Sequence, residues 1–298
     1  DHDAETNNLG IGKGSLGGAI AGGEYNVAIG NNSLDALTSG DNNVAIGYDA
    51  GTALTTGTKH VFIGYSAGAS SITNTDGSVC IGYQAGNALL NGGSVFVGPD
   101  AGKSVTTGSS NVMIGFAAGD NFDAENHNIG IGTNALGGAI NGGEYNVAIG
   151  GLALDALTTS DFNVAVGYNA GGALQTGLGN VLVGYEAGKS LVSGTENVMI
   201  GLLAGGNATS SGNVCVGFKA GETITSGARN TAIGDTALDQ ATTEGNNLAI
   251  GYVSMSADVN GGEFNVAVGN YTLDALTSAD NCVAVGYQAG SAITTGER

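Results

Sequence analysis

The chain has 298 residues, of which 56 are glycine and one is proline, and its formal net charge is −19. This acidic balance excludes nucleic acid and anionic membrane surfaces as partners, because both attract basic patches. Membrane insertion is excluded because no apolar run is long enough to cross a bilayer. Hydrophobic residues make up 42% of the chain and recur at fixed positions, which excludes a disordered glycine-rich chain.

A five-residue stretch, Asn-Val-Ala-Ile-Gly at 43–47, recurs along the whole chain. It predicts a short strand that ends at a glycine turn, with Val44 and Ile46 on one face and Ala45 on the other. Seventeen copies follow one another at nearly constant intervals, and their closing glycines are Gly12, Gly30, Gly47, Gly64, Gly82, Gly98, Gly115, Gly132, Gly150, Gly167, Gly184, Gly201, Gly217, Gly234, Gly251, Gly269 and Gly286. One short strand per period of about 17 residues is typical of one turn of a β-solenoid, in which each unit buries its apolar face against its neighbours. We therefore predict an all-β protein, a parallel β-solenoid (a β-roll or β-helix) of about 17 rungs.

Positions within a rung are counted from the closing glycine, which is position 0. Position −3 is Val, Leu or Ile in sixteen copies, and position −1 is always Ile or Val. We predict that these two columns form the core, because burying each such side chain contributes about 1.5–3 kcal/mol. Position −4 is Asn in thirteen copies, and stacked amides in register are expected to hydrogen-bond along a ladder at this corner of the rung.

Position −2 is also apolar in every copy. It is Ala in eight copies and Gly in two, and the remaining seven are Phe62, Cys80, Phe96, Met113, Leu182, Met199 and Cys215. A strand that is apolar on both faces is buried on both. With the −3 and −1 columns assigned to the core, the −2 face is expected to meet another chain, or another wall of the same coil.

Positions +1 and +4 vary together. In ten copies +4 is Gly and +1 is Tyr, Phe, Leu or Pro, as in Tyr185 and Gly188. In the other seven copies +4 is Leu or Met, and +1 is usually polar or Gly. Since close packing forbids both an overfilled and an empty site, we predict that these two positions share one volume in the core.

A longer period lies on top of the rungs. The hexapeptide Gly22–Val27 recurs at 142–147 and, with Phe264 in place of Tyr, at 261–266. Seven rungs account for this spacing, so residues 1–298 are predicted to form a single solenoid array with super-repeats 1–119 and 120–238 and a partial third, 239–298. The last copy stops in mid-rung at Arg298, which leads us to expect a fragment of a longer fibre.

The nonapeptide Asn-Val-Ala-Ile-Gly-Tyr-Asp-Ala-Gly at 43–51, followed by Thr-Thr-Gly at 55–57, resembles repeats of phage and bacterial tail-fibre proteins. Its first five residues are similar to the head repeat of trimeric autotransporter adhesins, whose rung is shorter than the rung of this chain. The resemblance covers essentially the whole chain. It implies a homotrimeric fibre, extracellular, on a cell surface or on a virion, that serves as a shaft or an adhesive head. The implied partners are further copies of the chain and a cell-surface glycan or protein receptor.

The chemistry-bearing residues predict no enzyme, no catalytic residue, no metal ligand and no bound cofactor. Residues Gly12–Gly17 match GxGxxG, but no βαβ unit surrounds them, so a phosphate site is not predicted. The histidines and cysteines lack the spacing of metal sites and disulfide frameworks, and they are His2, His60, His127, Cys80, Cys215 and Cys282.

The predicted function is a structural or adhesive fibre segment that spans distance and presents a receptor-contact surface. Three alternatives stay open. Surface calcium is the alternative to solvated charge at the recurring acidic turns, which are Asp35/Asp41, Asp155/Asp161 and Asp274/Asp280. Threonine pairs such as Thr55-Thr56 suggest the second alternative, an ice-binding or extracellular-matrix solenoid. A glycan-cleaving tailspike with a site between subunits is the enzymatic alternative.

Overall fold

The computed structural model describes residues 2–3, 7–70 and 77–295, which form strands and turns and contain no helix. The chain divides into two compact units, Asp1–Asn146 and Val147–Arg298.

Each copy of the repeat forms one strand, and nearly all of these strands are equally short. The first unit contains β1 (His2–Asp3), β2 (Asn8–Ile11), β3 (Val27–Ile29), β4 (Val44–Ile46), β5 (Val61–Ile63), β6 (Val79–Ile81), β7 (Val95–Val97), β8 (Val112–Ile114) and β9 (Ile129–Ile131). The second unit contains β10 (Val147–Ile149), β11 (Val164–Val166), β12 (Val181–Val183), β13 (Val198–Ile200), β14 (Val214–Val216), β15 (Thr231–Ile233), β16 (Leu248–Ile250), β17 (Val266–Val268) and β18 (Val283–Val285).

The seventeen repeat strands are parallel and in register within each unit. In β12 and β13, for example, Val181 lies beside Val198 and Leu182 beside Met199. Strand β1 is the exception, because it pairs antiparallel with β2 and places His2 beside Leu9. The predicted all-β parallel solenoid, with one short strand in each repeat, is confirmed.

The rest of each rung consists of turns whose backbone groups bond to the next rung. The Gly188 N–H donates to the Ala204 carbonyl at 3.0 Å, and the Thr209 N–H donates to the Thr225 carbonyl at 2.8 Å. Backbone polar groups away from the strands therefore find partners one rung away, as buried peptide groups require.

The closing glycine is required by both its conformation and its surroundings. Gly167 has φ +138, and a Cβ atom added to it would lie 2.3 Å from the Gly184 carbonyl oxygen. A side chain at this position would collide with the backbone of the next rung, so only glycine permits stacking at the rung spacing.

The two faces of each strand are reversed relative to the prediction. The −2 side chains are completely buried inside each unit, as in Ala165 and Leu182, except for Ala284 in the last copy, whereas the −3 and −1 side chains point outward and are partly exposed. The prediction that the Val and Ile columns form the core is wrong. The −2 face therefore meets another wall of its own coil rather than another chain. Close packing inside the coil limits the size of the side chains that fit at this position.

The core is filled by an exchange between positions −2 and +4. A Cβ atom on Gly188 would lie 2.9 Å from Leu182 Cδ2 and 3.0 Å from Met199 Sδ. Large side chains at −2 therefore occur with Gly at +4, in the pairs Phe62/Gly68, Cys80/Gly86, Phe96/Gly102, Met113/Gly119, Leu182/Gly188, Met199/Gly205 and Cys215/Gly221. Gly or Ala at −2 occurs with Leu or Met at +4, in the pairs Gly10/Leu16, Ala28/Leu34, Gly130/Leu136, Ala148/Leu154, Ala232/Leu238, Ala249/Met255 and Ala267/Leu273.

Three rungs carry Ala at −2 and Gly at +4, and large side chains of neighbouring rungs fill the space. In the rung of Ala165, a Cβ atom on Gly171 would lie 2.6 Å from Leu182 Cδ1 and 2.9 Å from Leu154 Cδ2. The predicted exchange between +1 and +4 is wrong, since Tyr185 at +1 is 50% exposed. The partner that shares volume with +4 is −2.

The orientation of the strand predicts opposite results for two adjacent substitutions. Ala165→Lys places an unpaired ammonium group in the dry interior and should prevent cooperative folding. Val164→Lys points outward and should leave a folded β-protein. Circular dichroism and thermal melting of the two variants measure the difference. A folded Ala165→Lys variant beside an unfolded Val164→Lys variant would contradict the assignment of the faces.

The core exchange predicts strong coupling between Leu182 and Gly188. Leu182→Ala should lower the free energy of unfolding by about 2–5 kcal/mol because it opens a cavity, and Gly188→Leu alone should cost about 1–3 kcal/mol through overpacking. Leucine tolerates the φ of +4, as Leu154 shows with φ 50 beside the φ 58 of Gly188.

The double variant Leu182→Ala/Gly188→Leu should therefore be more stable than the sum of the two losses, by about 0.5–3 kcal/mol. Denaturant titration gives the four free energies. The matched control replaces Leu182→Ala with Tyr185→Ala, for which the effects should add. Additive effects in the Leu182 cycle would show that −2 and +4 do not share a volume.

Candidate functional surface

A ladder of buried asparagine amides runs along one corner of each unit. The backbone N–H and the Nδ2 group of Asn180 both donate to Asn163 Oδ1 at 3.0 Å, and Nδ2 also donates to the Gly194 carbonyl at 2.9 Å. Asn197 makes the same two bonds to Asn180 Oδ1. Each side chain thus joins three consecutive rungs. All thirteen asparagines at −4 are buried, and the predicted amide ladder is confirmed.

His60 takes the place of asparagine in this ladder. Its backbone N–H donates to Asn43 Oδ1 at 2.9 Å, and its Nδ1 accepts the Ser78 N–H at 3.1 Å. The ring is buried and stacks on Phe62 with centroids 5.2 Å apart. An accepting Nδ1 requires the tautomer with the proton on Nε2, so His60 is held as a structural part of the corner.

Two buried carboxylates brace the rungs that follow them. Glu244 Oε2 accepts the Thr242 and Thr243 N–H groups at 3.0 and 2.9 Å, and Oε1 accepts the Thr243 hydroxyl at 2.8 Å and the Gly261 N–H at 2.9 Å. Glu125 makes the corresponding backbone bonds, including one from the Gly142 N–H at 2.9 Å. Gly142 and Gly261 lie in the longer rungs of the array, so each carboxylate holds the backbone where a rung contains an extra residue.

Sequence reasoning missed these two carboxylates, although a signal was present. Glu125 and Glu244 are separated by the length of one super-repeat. They occupy a position that is Gly or Ser in most other rungs.

The outward side chains at −3 and −1 form a surface that we call the ladder face. In β13 the −1 side chain, Ile200, is 39% exposed, while Met199 between the two outward side chains is fully buried. Neighbouring rungs cover the flanks of every side chain in such a column, so the solvent meets their outer ends. The ladder face is β-branched in almost every rung and carries no charged residue at −3 or −1.

Position −5 forms a second outward column, which we call the display column. Its residues adopt the left-handed conformation, as in Lys59 and Arg229, both with φ 60. The column is chemically diverse, in contrast to the restricted interior. Its side chains are Asn7, Tyr25, Asn42, Lys59, Ser110, His127, Tyr145, Phe162, Glu196, Arg229, Asn246, Phe264 and Asn281, and the other four copies carry Gly77, Gly93, Gly179 and Gly212.

Tyrosines at +1 stack along the axis of the first unit. Tyr48, Tyr65 and Tyr83 follow one another with ring centroids 5.4 Å apart and interplanar angles of 11° and 15°. Each ring is about half exposed. Since the ring faces cover one another, the edges and hydroxyl groups are what a partner would meet.

Ion pairs join positions +2 and +5 of single rungs. Lys189 Nζ lies 2.7 Å from Glu186 Oε2, and Lys219 Nζ lies 3.0 Å from Glu222 Oε2. The hydrogen bond to Glu186 raises the pKa of Tyr185, and the hydrogen bond from Lys189 lowers the pKa of Glu186. A tyrosine with a raised pKa stays protonated, so this cluster favours a solvated ion pair over a nucleophile.

Two aspartates of the recurring acidic turns accept hydrogen bonds from the backbone. Asp41 Oδ1 accepts the Glu24 N–H at 2.8 Å, and Asp280 Oδ1 accepts the Glu263 N–H at 2.8 Å. In the part of the chain that the structure describes, no group of three His, Cys, Asp or Glu residues is placed to hold a metal ion.

The threonine hydroxyl groups at +8 form hydrogen bonds within the solenoid. Thr209 and Thr225 each donate the hydroxyl proton to the backbone carbonyl of the next rung, at 2.9 and 2.8 Å. These hydroxyl protons are used within the protein, which distinguishes the column from a free array of donors.

The remaining candidates have structural places. Gly12–Gly17 follows β2 in a turn rather than opening a helix, and His127 is exposed and stacks on Tyr145 at 4.9 Å. Cys80 and Cys215 lie in the core, where burial raises the pKa of both thiols, that of Cys215 to about 12. Buried thiols of this kind are unreactive. The side chain of His2 lies outside the described residues.

No protein-family model matches the chain, and a comparison with curated proteins finds no match either. Among the described residues, no helix is long and apolar enough to cross a membrane.

The brace at Glu244 predicts a dependence of stability on pH. Burial raises the pKa of Glu244, but the hydrogen bonds from Gly261, Thr243 and the backbone outweigh it, so the pKa lies below the ordinary value of 4.5. A lowered pKa in the folded state adds stability above the ordinary pKa, and this contribution is lost as the pH falls through the folded pKa.

Glu244→Gln should therefore melt below the parent protein at pH 7, with a loss of about 1–3 kcal/mol. The difference should shrink as the pH falls below about 4.5, where the parent protein loses its charge. Thermal melting between pH 3 and 7 measures it, with exposed Glu196→Gln as the control. A difference that is constant across this range would refute the ionised brace.

Proposed function

We propose that the chain is a non-enzymatic structural or adhesive fibre segment, similar to phage tail-fibre or surface-adhesin repeats, that spans distance and presents a receptor-contact surface. The observation that supports it most is the contrast between the restricted core columns and the diverse display column. A rigid repeated interior holds exposed Tyr, Lys, His, Phe, Glu and Arg side chains at one position of the rung, as in Lys59 and Phe264, and this position is glycine in four copies.

Such a scaffold suits multivalent contact. Each display position offers a single side chain, which supports weak binding per site. Many sites on one chain raise the effective concentration and increase apparent affinity by about 10²–10⁴ without any new contact. The partners that fit this arrangement are a cell-surface glycan or protein, and further copies of the chain in a homotrimer. The place that fits it is extracellular, on a cell surface or on a virion.

The experiment couples the purified chain to beads at low and high density and measures capture of intact bacterial cells and binding to a glycan array. We expect binding that rises more steeply than the bead density. The variant Arg229→Ser/Phe264→Ser should lose several-fold of that binding. The matched control, Ser193→Ala/Ser226→Ala, changes exposed turn residues and should bind like the parent protein.

Two further readouts separate the other functional classes. Release of reducing ends from glycans, lost on changing one carboxylate, would replace the proposal with a glycan-cleaving tailspike. Arrest of ice-crystal growth in freezing solution would replace it with an ice-binding solenoid.

A further inference from the structure

The ladder face is a continuous apolar surface that each unit leaves partly exposed. In the second unit its −3 and −1 side chains belong to nine strands, and in the first unit to eight. Leu, Val and Ile occupy every one of these positions except Thr231. The −2 side chains between them are already buried in the coil, except for Ala284 in the last copy, so the ladder face is apolar without serving the core.

The size of this face in each unit is that of an apolar patch that is often functional. With strands about 4.8 Å apart and each strand spanning about 10 Å, the ladder face covers about 430 Å² in the second unit and about 380 Å² in the first. Each value alone reaches the range of the largest apolar patch on a typical monomer, about 300–600 Å².

The spacing of the face identifies its partner. A partner that packs against every rung must present side chains at the rung spacing, and a second copy of the chain does so with the same Val and Ile columns. The net charge of −19 on each chain repels a second copy, but the ladder face itself has no charged side chain to desolvate. Two copies meeting there keep their acidic turns in solvent, and burying apolar side chains supplies the attraction.

We propose that further copies of the chain pack on the ladder face, so that the outward Val and Ile columns form the contact between subunits. The inference rests on the proposed function, since a fibre of several chains needs one such contact. The contact lies on the face opposite the fully buried −2 column.

Sedimentation equilibrium across a dilution series tests the proposal on the full chain. The parent protein should have a mass of two or more chains at micromolar concentration. Val181→Lys/Val214→Lys places two like charges, two rungs apart, on the ladder face and should reduce the mass to one chain while circular dichroism keeps the β spectrum. The matched control, Ser193→Lys/Ser226→Lys, adds the same charge at exposed turns and should keep the parent mass.

A second measurement does not depend on the folding of the lysine variant. A nitroxide label on Val198→Cys, in a Cys282→Ser background that removes the partly exposed thiol, should show dipolar coupling between copies that disappears when labelled protein is diluted with unlabelled protein. A label on Ser226→Cys should show much weaker coupling.

A monomeric parent protein, or a lysine variant that keeps the parent mass, would overturn the proposal. The result is separable from that of the proposed function. A monomer whose binding to cells still rises more steeply than the bead density removes the self-contact alone, whereas an oligomer without cell or glycan binding removes the adhesive role alone.

Discussion

The buried amide ladder is the interaction on which the rest of the structure depends. An amide in the interior must be fully hydrogen-bonded or it costs free energy, and Asn180 meets this requirement only when the rungs before and after it stand in register. The ladder therefore fixes the stacking of one rung on the next. Since a one-residue slip would reverse the faces of the strand, fixing the register also decides which side chains enter the coil.

Register has a consequence for both faces. Inside, identical positions stack, so the core is packed between rungs as well as within them, and the space at Gly171 is filled by Leu154 and Leu182 of adjacent rungs. Outside, the same stacking turns single Val and Ile residues into continuous columns. A scaffold that repeats its exterior so regularly becomes either an adhesive array or a surface for self-assembly, and the two proposals use different columns of the same rung.

The sequence predicts the solenoid, its period and the amide ladder, because Gly167 and Asn180 belong to columns that only a stacked coil explains. It does not predict which face is inside. Val164 and Ala165 are both apolar, and hydrophobicity alone does not separate an apolar exterior from a core; the volume of the coil does. The sequence shows that the residue at −2, such as Leu182, varies with the residue at +4, such as Gly188. However, the residue at +1, such as Tyr185, also varies with +4, and only its exposure in the structure excludes it from the shared volume. Glu244 was missed because a single acidic residue in a turn is ordinarily solvated.

Hydrogen exchange of the asparagine side-chain amides, followed by NMR, tests the amide ladder most directly. The Nδ2 groups of Asn180 and Asn197 each donate two hydrogen bonds, one to the previous Oδ1 and one to a carbonyl of the next rung. The structure predicts a set of slowly exchanging side-chain amides that includes Asn180 and Asn197, beside fast exchange at exposed Asn42. Exchange of Asn180 and Asn197 as fast as that of Asn42 would contradict the ladder and the register that depends on it.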